Sequence, residues 1–208
     1  MAYDLEEQEQ LDELRAWWKL HGNLVMGVAT AALLVFAGFQ GWKIYQHKQA
    51  AEAASQFEAL TQLETKDVKS IRAISAKLMD NYAATPYAAR AALLAAKANY
   101  VAGDAKSAQA QVEWVMNHAK EDALRSIAQL QMAALQFDGK QYDAALKTLA
   151  DKHEAAFDGL FMDLKGDILA AQGKKTEARA AYAEAVTHLE ADGRYRRYTE
   201  RKLDALGS

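Results

Sequence analysis

The chain has 208 residues, of which 51% are hydrophobic and 25% are charged, and its formal net charge is −3. It contains no cysteine, which excludes disulfides, thiolate nucleophiles and cysteine-ligated zinc. There are 45 alanines but only one proline, so few residues interrupt helical periodicity. The composition therefore predicts an all-α protein.

The first predicted element is a single transmembrane helix over residues 20–42. This segment contains no Lys, Arg, Asp or Glu, and as a helix it spans about 34 Å, more than the ~30 Å hydrocarbon core of a bilayer. Trp17 and Trp18 precede it and Trp42 and Tyr45 close it, as expected for aromatic side chains at membrane interfaces. A cleaved signal peptide and a buried core helix are the alternatives, but the acidic leader and the long apolar run favour a membrane helix.

Residues 1–19 are predicted to form a short acidic tail, and the flanking charges do not decide on which side of the membrane it lies. Arg15 and Lys19 precede the span, while Lys43 and Lys48 follow it. The positive-inside rule, which counts Lys and Arg, therefore gives a tie.

Small residues recur along one side of the predicted span, at alternating spacings of four and three. Such a stripe lets another helix approach closely, although small residues are also simply frequent in membrane helices. The candidate helix-packing face consists of Gly27, Ala31, Leu34, Gly38 and Gly41.

Residues 43–208 are predicted to form a helical domain outside the bilayer. Residues 43–64 contain no helix breaker and have one apolar side, so the membrane helix is expected to continue as an amphipathic helix. A second helix is predicted over residues 68–82. Thr85 is then expected to cap the next helix, and Pro86 to occupy its first turn.

The chain then repeats itself, because Gly103, Gly139 and Gly173 each close one helix and open another at nearly equal intervals. A period of roughly 34 residues is typical of a solenoid of helical hairpins. Each glycine is followed five positions later by an alanine, as close packing between the two helices of a hairpin requires. These alanines are Ala108, Ala144 and Ala178.

The third hairpin resembles a tetratricopeptide repeat, with small residues where helices touch and an aromatic residue between repeats. Its matching residues are Gly166, Leu169, Gly173, Ala178, Tyr182 and Ala185. The earlier hairpins depart from this pattern, with Ala96 and Met132 at the position of Gly166. The predicted fold is therefore all-α, with one N-terminal transmembrane helix followed by a tetratricopeptide-repeat-like helical-hairpin solenoid.

No motif in the sequence is typical of catalysis, a cofactor or a metal site. The five histidines are far apart and form no H-E-x-x-H motif. Near the C terminus, acidic residues interrupt a basic cluster, which favours a solvated last helix over a nucleic-acid interface. The cluster comprises Arg194, Arg196, Arg197, Arg201 and Lys202. We therefore predict a non-enzymatic protein with no cofactor, no metal and no nucleic-acid partner.

The inner helices of a solenoid present a concave face that suits extended or partly folded polypeptide. Aligning the three hairpins by their glycines assigns one set of side chains to this face. Ordinary solvated faces are the alternative, since a register error of one residue turns every side chain by about 100°. The candidate polypeptide-binding groove consists of Arg90, Leu93, Lys97, Tyr100, Gln129, Gln136, Asp163 and Asp167.

Two segments resemble a known family. They are residues 14–23, Leu-Arg-Ala-Trp-Trp-Lys-Leu-His-Gly-Asn, and residues 82–88, Tyr-Ala-Ala-Thr-Pro-Tyr-Ala. With the acidic tail, the single span and the degenerate repeats, the chain resembles the YfgM family of proteobacterial inner-membrane proteins, which are ancillary subunits of the SecYEG translocon.

The resemblance implies a single-pass protein of the bacterial inner membrane, with residues 1–19 in the cytoplasm and residues 43–208 in the periplasm. It also implies association with SecYEG, with the membrane-anchored chaperone PpiD and with newly exported polypeptides, besides the lipid around the span. One alternative is a structural envelope scaffold that binds one fixed folded partner. Another is a regulatory adaptor in the stress response, which would be cytoplasmic if the topology were inverted.

Overall fold

The computed structural model describes residues 2–64 and 67–207, with side chains from residue 10 onward. Every regular element in these ranges is helical, which confirms the all-α prediction. A 3₁₀ turn, Ala155–Phe157, precedes the seventh α-helix. The α-helices are α1 (Ala2–Thr61), α2 (Val68–Asn81), α3 (Pro86–Val101), α4 (Ala105–His118), α5 (Asp122–Asp138), α6 (Tyr142–Ala150), α7 (Asp158–Ala171), α8 (Lys175–His188) and α9 (Arg194–Ala205).

Helix α1 contains the predicted membrane span. Within residues 2–64 and 67–207, it is the one helix long and apolar enough to cross a bilayer, by length and composition. Met1 and the acidic side chains at positions 4, 6, 7 and 9 of the predicted tail lie outside the described residues. Since α1 is continuous through residues 19 and 42, the boundaries of tail and span remain predictions.

The chain divides into two compact units, Met1–Gln49 and Ala50–Ser208, which we call the N-terminal unit and the repeat unit. In the N-terminal unit, nearly all the side chains that the structure describes are exposed. The repeat unit contains the end of α1 and helices α2–α9, and it holds the apolar cores.

The repeat unit begins with a core shared by three helices. Ala53 and Leu60 from the end of α1 pack with Ile71 and Leu78 of α2 against the alanine-rich α3. All the buried side chains that α3 contributes to this core are alanines, and their small size lets the neighbouring helices approach closely.

The first helix boundaries lie close to their predicted places. Helix α1 ends at Thr61, before the predicted residue 64, and α2 ends at Asn81. Pro86 is the first residue of α3, as predicted. Thr85 precedes it, but its hydroxyl does not cap α3: it donates to the carbonyl of Tyr82 at 2.8 Å.

Left-handed residues mark the turns that follow the first helix of each hairpin. They are Gly103 (φ 84°), Lys140 (φ 57°), Gly173 (φ 78°) and Gly207 (φ 80°), at nearly equal intervals along the chain. Gly139 does close α5, but its φ of −75° is ordinary, and the left-handed residue of the second hairpin is Lys140. We call α3–α4, α5–α6 and α7–α8 units 1, 2 and 3, and α9, followed by Gly207, begins unit 4.

The position of Lys140 shifts the register of unit 2 by one residue. Ala108 and Ala178 are fully buried between paired helices, as predicted. Ala144, the predicted equivalent in unit 2, is exposed, and Ala145 is the buried alanine. It follows Lys140 by five positions, the same distance as in the other two units.

The same shift changes which residue of unit 2 is equivalent to Gly166. In unit 2 that position belongs to Ala133, which is 0% exposed, and not to Met132, which is only partly buried. The equivalent residue of unit 1 is Ala96, which is 2% exposed. All three hairpins thus have a small buried residue here, although only unit 3 has glycine.

Replacing Lys140 with glycine is expected to raise the free energy of unfolding by roughly 0.5–1 kcal/mol. A left-handed conformation costs a non-glycine residue about 1–2 kcal/mol, and the greater freedom of glycine in the unfolded chain offsets part of that gain. Lys140 is exposed, so no packing is lost. Urea unfolding followed by circular dichroism measures the change.

Lys174→Gly is the matched control, because Lys174 has an ordinary φ of −82° at a similar turn. This variant is expected to be no more stable than the wild type. Equal effects of the two glycines would show that Lys140 is not strained.

Candidate functional site

The first helices of units 1–4 share one set of positions, which we call the inner face. Counted back from the left-handed turn residue, they are the residues 13, 10, 6 and 3 positions earlier, the spacing of the groove predicted on α3. Every residue at these positions is partly buried or exposed. They are Arg90, Leu93, Lys97 and Tyr100 on α3; Ile127, Leu130, Ala134 and Phe137 on α5; Leu160, Asp163, Asp167 and Ala170 on α7; and Arg194, Arg197, Arg201 and Asp204 on α9.

The inner-face residues of α3 include two that contact the ends of α5. The Arg90 guanidinium pairs with Glu121 at 3.1 Å. The Tyr100 hydroxyl donates to the Asp138 carboxylate at 2.6 Å, and this hydrogen bond and the carboxylate charge raise the pKa of Tyr100. The contacts lie at opposite ends of α5, so they hold α3 and α5 side by side.

An apolar pocket opens beside Lys97. It has a volume of about 190 Å³, enough to receive an apolar side chain. Leu94 on its wall is 38% exposed, and Val101 on the same helix is 69% exposed. Leu93 instead packs against the core of unit 1. The pocket is lined by Leu60, Thr61, Leu63, Ile71, Leu94, Lys97 and Ala98.

The two predicted groove residues of α5 face α6 instead. Gln129 is 5% exposed, and its amide donates to the carbonyls of Thr148 at 2.6 Å and Asp151 at 3.0 Å. The Gln136 side chain accepts a hydrogen bond from the Thr148 hydroxyl at 2.8 Å. Alignment by Gly139 placed both residues one position out of register, a rotation of about 100°. The true inner-face residues of α5 are apolar.

Asp163 and Asp167 lie together on α7, as predicted, but their carboxylates already bind side chains of α9. The Lys202 ammonium lies 2.9 Å from Asp163 and 2.7 Å from Asp167. The Thr199 hydroxyl donates to Asp163 at 2.8 Å, and the Tyr182 hydroxyl donates to Asp167 at 2.7 Å. We call these five residues the lysine network; it links α7, α8 and α9.

The lysine network shifts the pKa of two of its members. Burial raises the pKa of Tyr182, and the hydrogen bond to Asp167 and the nearby negative charges raise it further. Burial lowers the pKa of Lys202, but its hydrogen bonds to Asp167 and Asp163 outweigh this, and the net shift is upward. Both groups therefore keep their protons at neutral pH, and the network is a fixed structural link.

The N-terminal unit presents the predicted helix-packing face on one exposed side of α1. Among the described residues, apart from its chain neighbours and the adjacent turns of the α1 backbone, a β-carbon added at Gly27, Gly38 or Gly41 would have no atom within 4 Å. Leu34 is 69% exposed, and Ala31 is exposed as well. Within the described residues of this unit the face is exposed, and its role in helix packing remains a prediction.

The paired tryptophans before the span have a local packing role. The Trp17 ring stacks on His21 with centroids 5.3 Å apart. Trp18 covers Gly22, where an added β-carbon would lie 3.2 Å from the indole. Each indole thus packs on the residue four positions later, which explains the histidine and glycine in the Trp-Trp-Lys-Leu-His-Gly pattern.

Sequence analysis missed the inner faces of α5 and α9. In unit 2 the signal is the pair of small residues Ala133 and Ala145. Each lies one residue beyond the position expected from Gly139, and together they indicate the correct register. For α9 the signal is Gly207, which follows Gly173 at the same interval that separates Gly139 from Gly173.

Paired helices with small residues at their contacts, repeated about every 34 residues, define a tetratricopeptide repeat-like protein. The family model of the tetratricopeptide repeat-like domain matches residues 15–208. The chain is 32% identical, over 99% of its length and 100% of the relative's, to an ancillary SecYEG translocon subunit of Neisseria gonorrhoeae. It is 29% identical over 89% of its length to the subunit of Haemophilus influenzae, which is covered to 91%, and 25% identical over 85% of both chains to that of Escherichia coli K12. No solved structure matches it.

The chain belongs to the YfgM family of ancillary SecYEG translocon subunits. The match extends over the N-terminal unit and the repeat unit together.

Proposed function

We propose that the protein is a non-enzymatic accessory subunit of the Sec translocon. It is anchored in the bacterial inner membrane by residues 20–42, with its tail in the cytoplasm and its repeat unit in the periplasm. There the repeat unit binds newly exported polypeptides and the chaperone PpiD. The names of its relatives support the association, and the long apolar helix α1 supports the anchoring.

The observation that carries the binding proposal is the exposed apolar surface of α3 beside its pocket. On α5, three of the four inner-face positions bear large apolar side chains, which are partly buried and pack against the cores of the repeat unit. On α3, Leu94 and Val101 are exposed, and Leu94 lines the pocket of about 190 Å³. Soluble proteins seldom leave neighbouring apolar side chains uncovered without a partner. An extended polypeptide with apolar side chains fits this surface.

Tethering makes weak binding effective. A site held close to the channel exit by a short linkage meets emerging segments at effective concentrations that approach the millimolar range. The inner face therefore needs only low intrinsic affinity to be occupied. Low affinity also permits transfer of the segment to PpiD or release for folding.

The helix-packing face of α1 is proposed to dock against a translocon helix. Close approach of small residues is a common mode of helix association in membranes. Gly38 lies on this face, and Phe36 lies about 200° around the helix from it. The two positions thus form a matched pair for crosslinking within the span.

Site-specific photo-crosslinking in intact cells tests the proposal. Photoreactive residues are placed at Leu94 and Lys97 beside the pocket, at exposed Arg179 on α8 as the control, and at Gly38 and Phe36 in the span. Positions 94 and 97 are expected to capture exported polypeptides and PpiD, and position 179 is not. Position 38 is expected to capture translocon subunits more strongly than position 36.

The outcomes separate the alternatives. If positions 94 and 97 capture one protein of defined size, the protein is a scaffold with a fixed partner. If only the span reacts, the inner face does not bind clients. Protease added to spheroplasts should digest the repeat unit, and its protection would show the inverted topology of a cytoplasmic adaptor.

A further inference from the structure

Helix α9 continues the inner face with a set of arginines. Arg194, Arg197 and Arg201 occupy the positions that Leu160, Asp163 and Asp167 occupy on α7, one repeat earlier in the chain. The residues are three and four positions apart, so they share one side of the helix. Three of the four positions that are apolar on α5 are therefore basic on α9, and Asp204 occupies the fourth.

The three arginines are uncommitted, unlike the other basic residues of α9. Arg196 pairs with Glu200 at 2.9 Å, and Lys202 belongs to the lysine network. Within the described part of the chain, none of the three inner-face arginines forms an ion pair, and all are exposed. Arg197 donates only to the carbonyl of Asp192, at 2.7 Å.

Two exposed tyrosines flank the arginines. Tyr195 is 63% exposed and Tyr198 is 59% exposed. The Lys202 ammonium lies 4.9 Å from the centre of the Tyr198 ring and holds it beside the basic side. Arginine and tyrosine are among the residue types that dominate binding energy at protein interfaces.

We propose that these five residues bind the acidic part of a polypeptide: Arg194, Arg197 and Arg201 bind its carboxylates, and Tyr195 and Tyr198 pack against its side chains. The guanidinium fork matches carboxylate geometry. Arg197 and Arg201 are about 6 Å apart along the helix axis, close to the repeat of every second residue in an extended chain. Acidic residues at alternate positions therefore fit.

This inference rests on the proposed function, because it places the basic side of α9 on the face proposed to bind polypeptide. A segment that is apolar where it meets α3 and α5, and acidic where it meets α9, satisfies both surfaces. A polypeptide is favoured over an anionic lipid surface because two exposed tyrosines lie beside the arginines, at positions that continue the inner face of α3 and α5.

Binding of two short labelled peptides to the full-length protein in zwitterionic nanodiscs tests the inference by fluorescence anisotropy. One peptide alternates leucine and glutamate, and the other alternates leucine and glutamine. The Arg194→Gln/Arg201→Gln variant is expected to bind the glutamate peptide about tenfold more weakly and the glutamine peptide unchanged. Lys175→Gln/Arg179→Gln, with the same charge change on exposed positions of α8, is the control and should bind like the wild type.

Circular dichroism first establishes that both variants are folded, so that a change in affinity reports on binding. Equal affinity of the wild type for the two peptides, or an unchanged affinity of the arginine variant for the glutamate peptide, overturns this inference alone. Binding of neither peptide overturns the proposed function and this inference with it. If the arginine variant loses binding to phosphatidylglycerol vesicles but not to the glutamate peptide, the arginines form a lipid-binding surface, and the inference is wrong.

Discussion

Replacing Gly166 with alanine is expected to lower the free energy of unfolding of the repeat unit by about 3 kcal/mol. The added β-carbon would overlap Cε1 and Cδ1 of the Tyr182 ring, closer than non-bonded carbon atoms approach each other. Tyr182 is 3% exposed, and its hydroxyl is held by Asp167, so the ring has nowhere to move without breaking the lysine network. Urea unfolding followed by circular dichroism measures the loss.

Gly139→Ala is the matched control. There the added β-carbon would lie 3.4 Å from the nearest atom, an ordinary contact, and the φ is already negative. This variant is expected to be as stable as the wild type or slightly more stable, since alanine has less freedom in the unfolded chain. If Gly166→Ala were no worse than Gly139→Ala, steric crowding at Tyr182 would be disproved.

The equivalent pairs in the other units supply a rescue. Unit 1 has Ala96 at the position of Gly166 and Val112 at that of Tyr182, while unit 2 has Ala133 with Leu149; each pair lies in one core cluster. Where the first helix of a unit has alanine instead of glycine, the second helix thus has a side chain smaller than tyrosine. Gly166→Ala/Tyr182→Leu reproduces the unit 2 pair and should be destabilised by clearly less than the sum of its single variants.

The sequence predicted the architecture because its signals are local. A long uncharged run, a proline in a first helical turn and glycines at repeated turns each act within a few residues, and tertiary contacts need not be known to interpret them. Unit 3 was correctly aligned because Gly173 is itself the left-handed residue. In unit 2 the left-handed residue is a lysine, which carries no such signal, and a glycine stands one position away.

That single difference determined how much of the candidate site could be predicted. Residues assigned from Gly103 and Gly173 keep the positions that define the inner face, whereas Gln129 and Gln136, assigned from Gly139, lie against α6. Composition could not reveal the error, since a glutamine is equally plausible on either side of a helix. The pairing of Asp163 with α9 was also beyond sequence reasoning, because it joins residues 39 positions apart through tertiary packing.

Replacing Lys202 with methionine is expected to lower the free energy of unfolding by about 2 kcal/mol, less than the loss of one partner costs a fully buried ion pair. Methionine keeps most of the apolar stem but leaves two neighbouring carboxylates without their cation. The side chains of Asp163 and Lys202 are only 17% and 18% exposed, so solvent compensates poorly for the missing charge. Urea unfolding measures the loss, and hydrogen exchange should show that α9 opens most readily.

The control and the rescue identify repulsion between the aspartates as the cause. Lys175→Met removes an exposed lysine from α8 and should change stability by less than about 0.5 kcal/mol. Asp163→Asn added to Lys202→Met keeps an acceptor for Thr199 and removes one charge, so it should recover part of the loss, with a coupling of about 1 kcal/mol. If Asp163→Asn instead adds its own destabilisation in full, the network does not act through charge. Helix α9 also carries the inner-face arginines, so Lys202→Met should weaken binding of the glutamate peptide. If Lys202→Met/Asp163→Asn recovers both stability and binding, Lys202 is a positioning residue for the inner face of α9.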